Sequence, residues 1–271
     1  MVARWKDTPQ IWEDMYNSNI TSSLDNFGFS GINSIRNEVV EQPLVMKGFA
    51  EQVQEFWKQF AASRPNVTNE PKYALQGIED VFQNGNTLVL KTFLTDYATV
   101  RFKNTRDDQA NSYLTSEQQE FLDNYFLTLG VVGYVQDPAG RYLLGERSDI
   151  GAREGLLENV PKGLVDPVRP VNTKNVIAEA LKKELREETA LNSYDHIDEA
   201  AVTHLNLGPK YGDFTVIYQL KANHQAIEAI KANPREHKYI GWHDAHKLKA
   251  MLTTQRYNFN PVTVALLEKI L

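Results

Sequence analysis

The chain has 271 residues, 42% of them hydrophobic, and a formal net charge of 29 − 35 = −6. That suffices for a large core in one or two domains, and the absence of cysteine excludes disulfides and thiolate metal sites. No basic stripe suited to nucleic-acid phosphates is visible, and no apolar run approaches the ~20 residues that cross a bilayer, so a small soluble ligand is expected rather than nucleic acid or membrane.

In chain order, Met1 to Asp7 lacks the apolar run of a secretory signal, which makes the cytoplasm the expected location. Thr8-Pro9 predicts an N-cap and first helical position, opening a short helix through Ile11, Trp12 and Met15. A polar stretch follows from Asn17 to about Asn33. Pro43 predicts a second helix, with Val45, Phe49, Val53, Phe56, Trp57 and Phe60 at helical spacing, ending before Pro65. Thr87 to Leu94 reads as a strand entered from the Asn84-Gly85-Asn86 turn. Thr115-Ser116-Glu117-Gln118 has the form of a capping box, starting a helix that carries Phe121, Leu122, Tyr125 and Phe126.

The second half predicts a strand at Val131 to Val135, a turn at Asp137 to Gly140, and a partner strand at Arg141 to Arg147. A Gly-rich, charged loop runs from Ser148 to Pro170, and an amphipathic helix from about Lys174 to Ala190. Strands at Ala200 to Leu205, Phe214 to Leu220 and Lys238 to Trp242 follow, then helical segments. Mixed strands with helices on both sides imply an α/β sandwich. The boundary falls near residue 125, giving an N-terminal α+β region (1–125) and a second region (126–271).

The chemistry concentrates in the helix Val176 to Leu191. At about 100° per residue, Ile177, Leu181 and Leu185 form a buried stripe. Glu188 falls inside that stripe, with Glu184 and Glu187 at its edge. A lone buried carboxylate is costly unless paired or metal-bound, and clustered like charges drive protons onto one another. A hard divalent cation relieves both conditions. The competing account is an ordinary solvated helix with charges paired to Lys183 or Arg186; Glu188 is what it handles worst.

Lys183-Glu184-Leu185-Arg186-Glu187-Glu188-Thr189-Ala190-Leu191 resembles the second part of the Nudix motif, which is Gly, five residues, Glu, seven residues, then Arg-Glu-aliphatic-x-Glu-Glu-x-Gly-aliphatic. All three glutamates match; Lys183 stands in place of Arg and Ala190 in place of Gly. Asn159-Val160-Pro161-Lys162-Gly163-Leu164-Val165-Asp166 is similar to the motif's Pro-Gly-Gly entry, with Lys162 replacing one Gly. Gly163 precedes Lys183 by 20 positions against 14 in the pattern, an insertion of about six residues, and the middle Glu falls on Asn175. Leu143 to Ser148, Glu236 and Trp242 fit the flanks. Residues 70–97 are similar in layout to the UDP-glucose/UDP-galactose pyrophosphatase branch.

The resemblance covers about residues 127–250 and implies a Nudix-type α/β/α sandwich with a mixed sheet. It implies a hydrolase that uses Mg²⁺ or Mn²⁺ to cut a phosphoanhydride bond in a nucleoside diphosphate joined to another group, such as a UDP-sugar or ADP-ribose. Glu187 and Glu188 are its implied metal ligands, with the Gly163 or Lys162 carbonyl as a further one. Glu184 is implied in metal binding or as general base, so Glu184 and Glu187 are the catalytic candidates. Glu236 is an extra ligand or base. Arg147, Arg153, Lys162 and Lys210 flank the site loops as candidate phosphate contacts, each with a plain surface role as alternative. Tyr211 and Phe214 are stacking candidates with packing as the stronger reading, and His243 and His246 read as surface histidines rather than a zinc site. A homodimer is common among Nudix proteins. The alternative function is a catalytically weak or inactive Nudix-fold module sensing a nucleotide or sugar, motivated by Lys183, Ala190 and the N-terminal half.

Overall fold

The computed structural model describes residues 20–64, 67–105, 114–148, 154–167, 175–208 and 213–271. The helix predicted from Thr8-Pro9 lies outside them, as do Arg153, Lys210 and Tyr211. Among the described residues the order is β1 (Ile20–Ser23), β2 (Ser34–Val39), α1 (Ala50–Ala62), β3 (Pro71–Leu75), β4 (Val81–Asn84), β5 (Thr87–Asp96), α2 (Tyr97–Thr105) and α3 (Ser116–Asn124). There follow β6 (Leu127–Gln136), β7 (Tyr142–Arg147), β8 (Leu157–Asn159), β9 (Lys162–Leu164), α4 (Val176–Thr189), α5 (Ser193–His196), β10 (Ile197–Gly208), β11 (Asp213–Ala222), α6 (His224–Ala229), β12 (His237–His243), α7 (Ala245–Gln255) and α8 (Pro261–Ile270).

The twelve strands form one mixed sheet, with the path β1-β10-β11-β6-β3-β5-β2 and β4, β7, β8, β9 and β12 attached at its sides. β6 is the spine. Its residues from Leu127 to Val135 are all buried, the pattern of a strand covered on both faces. It runs parallel to β11 and antiparallel to β3 and β9. β3 belongs to the first half of the chain, so the sheet continues across residue 125. One face packs on α4 through Ile177, Leu181 and Leu185. Another cluster joins Tyr134, Leu144 and Ile217 to Leu248, Val264 and Leu267 of α7 and α8. A third gathers Phe49, Phe93, Phe121 and Phe126 around the N-terminal helices. The molecule is thus a mixed α/β sandwich, as expected. Among the described residues no helix is long and apolar enough to cross a membrane.

Two local signals act as read. Thr115 accepts the N–H of Gln118 while the Gln118 side chain accepts the N–H of Thr115, a reciprocal capping box that starts α3. The helix after Pro43 begins as a 3-10 turn, Leu44–Phe49, before α1. The polar stretch after Asn17 contains β1, and β2, β3, β4 and α2 were not read from sequence. β2 has only Ile35 buried, so it lacks the alternation that marks a half-buried strand.

The predicted strand, turn and partner strand are present, but β6 and β7 pair only beside the turn. Only Gln136 and Tyr142 pair across it. Asp137 accepts the N–H groups of Ala139 and Arg141 and binds the Arg141 guanidinium, closing the turn. Beyond that point Gly130–Val132 of β6 pair with β9, while β7 pairs with β12 and β8. The loop predicted from Ser148 to Pro170 therefore contains two short strands.

Candidate metal centre and active site

α4 carries the acidic residues into the split between β6 and β7. Asn175 caps its start, accepting the N–H of Ala178 at 3.0 Å. Asn175 thus fills a structural role at the position where the motif has its middle glutamate. At the other end Ala190 takes φ 60°, the left-handed region, as the only non-glycine residue to do so among the described residues. That conformation is the physical reason a glycine suits this position.

The last carbonyls of a helix lack intrahelical donors. Here Asn233 Nδ2 donates to the Glu187 carbonyl, the Asn233 N–H to that of Glu188, and the Lys231 N–H to that of Thr189. The N–H groups of Glu236 and His237 in turn donate to the Asn233 carbonyl. This loop delivers Glu236 and His237 to the end of α4.

Glu188 is wholly buried. Its Oε2 accepts the Lys162 N–H at 2.9 Å, tying α4 to β9. Its Oε1 has no hydrogen-bond partner among the described residues and lies 3.5 Å from His237 Nε2. Burial, then the charges of Glu158 and Glu236, hold the Glu188 carboxyl well above the usual carboxylate range. Burial pushes the His237 imidazole down, so the contact between them is not an ion pair at neutral pH. One donor atom each from Glu188, Glu236 and His237 lie within 4.8 Å of one another.

Glu184 lies over Gly163, where a Cβ would collide with its carboxyl group. The absence of a side chain at 163 is what lets helix and strand approach so closely. Burial, then the Glu188 charge, pushes the Glu184 carboxyl up to about 8. Glu187 is on the exposed side of α4, its side chain 46% accessible and 3.9 Å from Lys183, though its charge still adds to that on Glu184. The structure therefore brings Glu184, Glu188, Glu236, Gly163 and Lys162 together and leaves Glu187 at the rim.

Two residues of the cluster were not singled out from sequence. Glu158 on β8 is 1% exposed and binds Arg147 at 3.0 Å, Lys162 Nζ at 2.6 Å and Asn260 Nδ2 at 3.3 Å. Arg147 also reaches Glu236 at 3.5 Å. Two of the four expected phosphate contacts, Arg147 and Lys162, are thus anchored by one buried carboxylate. The available signal was a glutamate set between the apolar pair Leu156-Leu157 and Val160. The other residue is His237, whose burial a sequence cannot report. His246 is exposed and His243 half-buried, while Phe214 is fully buried in the core.

Lys183, standing where the motif has Arg, donates to Asp166 at 2.9 Å, and Asp166 also receives Lys72 from β3. Lys183 also favours the charged form of Glu184, so it offsets part of the charge of the buried cluster. There, with all four ionised, Glu158, Glu184, Glu188 and Glu236 carry −4 against +2 from Arg147 and Lys162, leaving −2. Among the described residues a buried Glu188 oxygen and both His237 ring nitrogens lack hydrogen-bond partners, and with this charge surplus they fit a divalent cation.

The NUDIX domain model matches residues 126–263, 138 of 271 residues. No curated protein sequence matches the chain. Among solved structures, DR0079 from Deinococcus radiodurans is similar at 17% identity and TM-score 0.38, over 47% of this chain and 74% of that one. An Ap4A hydrolase binary complex from C. elegans is similar at 17% identity and TM-score 0.32, over 53% and 96%. The NUDIX domain of Shewanella oneidensis NrtR, cocrystallised with ADP ribose, is similar at 14% identity and TM-score 0.36, over 63% and 94%.

Proposed function

The chain belongs to the Nudix family of pyrophosphohydrolases, and from that membership we propose that it hydrolyses the phosphoanhydride bond of a nucleoside diphosphate joined to a second group, of the UDP-sugar or ADP-ribose type. The observation that carries this reading is Glu188: a carboxylate with no exposure, one oxygen tied to a backbone N–H and the other without a hydrogen-bond partner among the described residues. Such a group persists at neutral pH only where a cation or a proton completes it.

A bound Mg²⁺ or Mn²⁺ would supply positive charge that offsets the negative charge of the pyrophosphate and would polarise its phosphoryl oxygens. Glu188 and Glu236 would hold it, with Glu184, Glu187 and the Gly163 backbone around them. Glu184, which lies over Gly163 beside Glu188, is the candidate to take the proton of the attacking water. Glu187, facing solvent, is the second candidate base. Arg147 and Lys162 orient the phosphates, and Glu158 fixes both side chains beforehand, so little ordering remains when substrate arrives.

The test is incubation with Mg²⁺ or Mn²⁺ and a panel of UDP-sugars, ADP-ribose, dinucleoside polyphosphates and oxidised nucleoside triphosphates. Turnover of at least one is expected, and Glu188→Gln should reduce it by about 100-fold or more with unchanged circular dichroism. No turnover on any of them, with cation bound, removes the proposal.

A further inference from the structure

We propose that His237 is a nitrogen ligand of the cation, making the centre a mixed nitrogen–oxygen site that takes Mn²⁺, Co²⁺ or Zn²⁺ in preference to Mg²⁺. The inference rests on the hydrolase reading and specifies its metal.

His237 begins β12 with no side-chain exposure. Neither ring nitrogen has a hydrogen-bond partner among the described residues. Buried imidazoles ordinarily satisfy at least one nitrogen, so two unsatisfied nitrogens mark a missing partner. Nε2 faces the equally unpartnered Glu188 Oε1 at 3.5 Å, beyond a well-formed hydrogen bond. Donors on opposite sides of a cation with bonds of about 2.0–2.2 Å stand about 4–4.4 Å apart. The Glu188, Glu236 and His237 donors, all within 4.8 Å, close on such an ion with small side-chain movements.

The ring's position is built into the strand beside it. A Cβ at residue 145 of β7 would lie 2.6 Å from His237 Nδ1 and 3.0 Å from Val160 Cγ2. Gly145 thus opens the space that the imidazole fills. Selectivity follows from donor chemistry. Mg²⁺ prefers oxygen and sheds water reluctantly, whereas imidazole favours the later first-row ions and zinc.

The experiment uses the full chain loaded with Mn²⁺, measured by pulsed electron paramagnetic resonance, alongside calorimetric titrations with Mn²⁺, Co²⁺, Zn²⁺ and Mg²⁺. Expected are ¹⁴N modulation on the bound Mn²⁺ that His237→Gln abolishes, and tighter binding of Mn²⁺, Co²⁺ and Zn²⁺ than of Mg²⁺. The variant should weaken those three by at least about 10-fold and Mg²⁺ by much less. His237→Asn, with a shorter amide, provides a second variant if the first does not fold. Mn²⁺ bound without ¹⁴N modulation, and turnover retained, overturns the histidine ligand and leaves the hydrolase standing. Equal weakening of all four ions also overturns it, because a purely structural histidine would act that way. No cation binding at all overturns both.

Discussion

The metal-free protein should lose stability as pH rises through the physiological range, and Glu184→Gln should remove much of that loss. In the folded chain the Glu184 carboxyl is pushed up to about 8, from an ordinary value of 4.5, by burial first and the Glu188 charge second. Between those values the folded state holds a proton that the unfolded state has released. Stability contributed by that proton is present below pH 4.5 and is lost as pH climbs towards 8. One proton is worth about 1.4 kcal/mol per pH unit, so the three units from pH 5 to pH 8 set a ceiling of about 4 kcal/mol. Solvent reaching the partly exposed carboxyl reduces this to about 2 kcal/mol. The lowered His204, His237 and His243 act in the opposite sense below about pH 6.5. Comparing wild type with Glu184→Gln at each pH cancels that contribution. The assay is urea unfolding in chelator at pH 5, 6, 7 and 8. The variant should gain on wild type steadily, reaching about 2 kcal/mol at pH 8. Saturating divalent cation should restore the wild type by a few kcal/mol and the variant by less. A difference between the two proteins that stays flat from pH 5 to 8 would refute the reasoning.

Ala190→Gly should stabilise the protein: an L-residue in the left-handed region is strained by about 1–2 kcal/mol, less the ~0.5–1 kcal/mol that glycine's unfolded freedom takes back. The net is roughly 0.5–1 kcal/mol, read as a higher urea midpoint; a lower midpoint would contradict the observed φ of 60°. Gly163→Ala should be destabilising by about 1–3 kcal/mol through the collision with Glu184. In a Glu184→Ala background most of that loss should disappear, and an equal loss in both backgrounds would place the clash elsewhere.

The acidic helix was legible because its determinants are local. The 100° periodicity alone puts Glu188 on the stripe of Ile177, Leu181 and Leu185, and all four are buried. The Thr115–Gln118 capping box depends only on residues three apart. The three glutamates with their flanks carried the family assignment even with Lys183 and Ala190 out of pattern. Tertiary structure decided what meets them. Lys72 reaches Asp166 across 94 positions, β7 leaves β6 for β12, and Glu158 and His237 arrive beside Glu188 from different strands. Helix faces and caps follow from neighbours along the chain, whereas the burial of a charge and the identity of its partner depend on which distant strands exclude water from it.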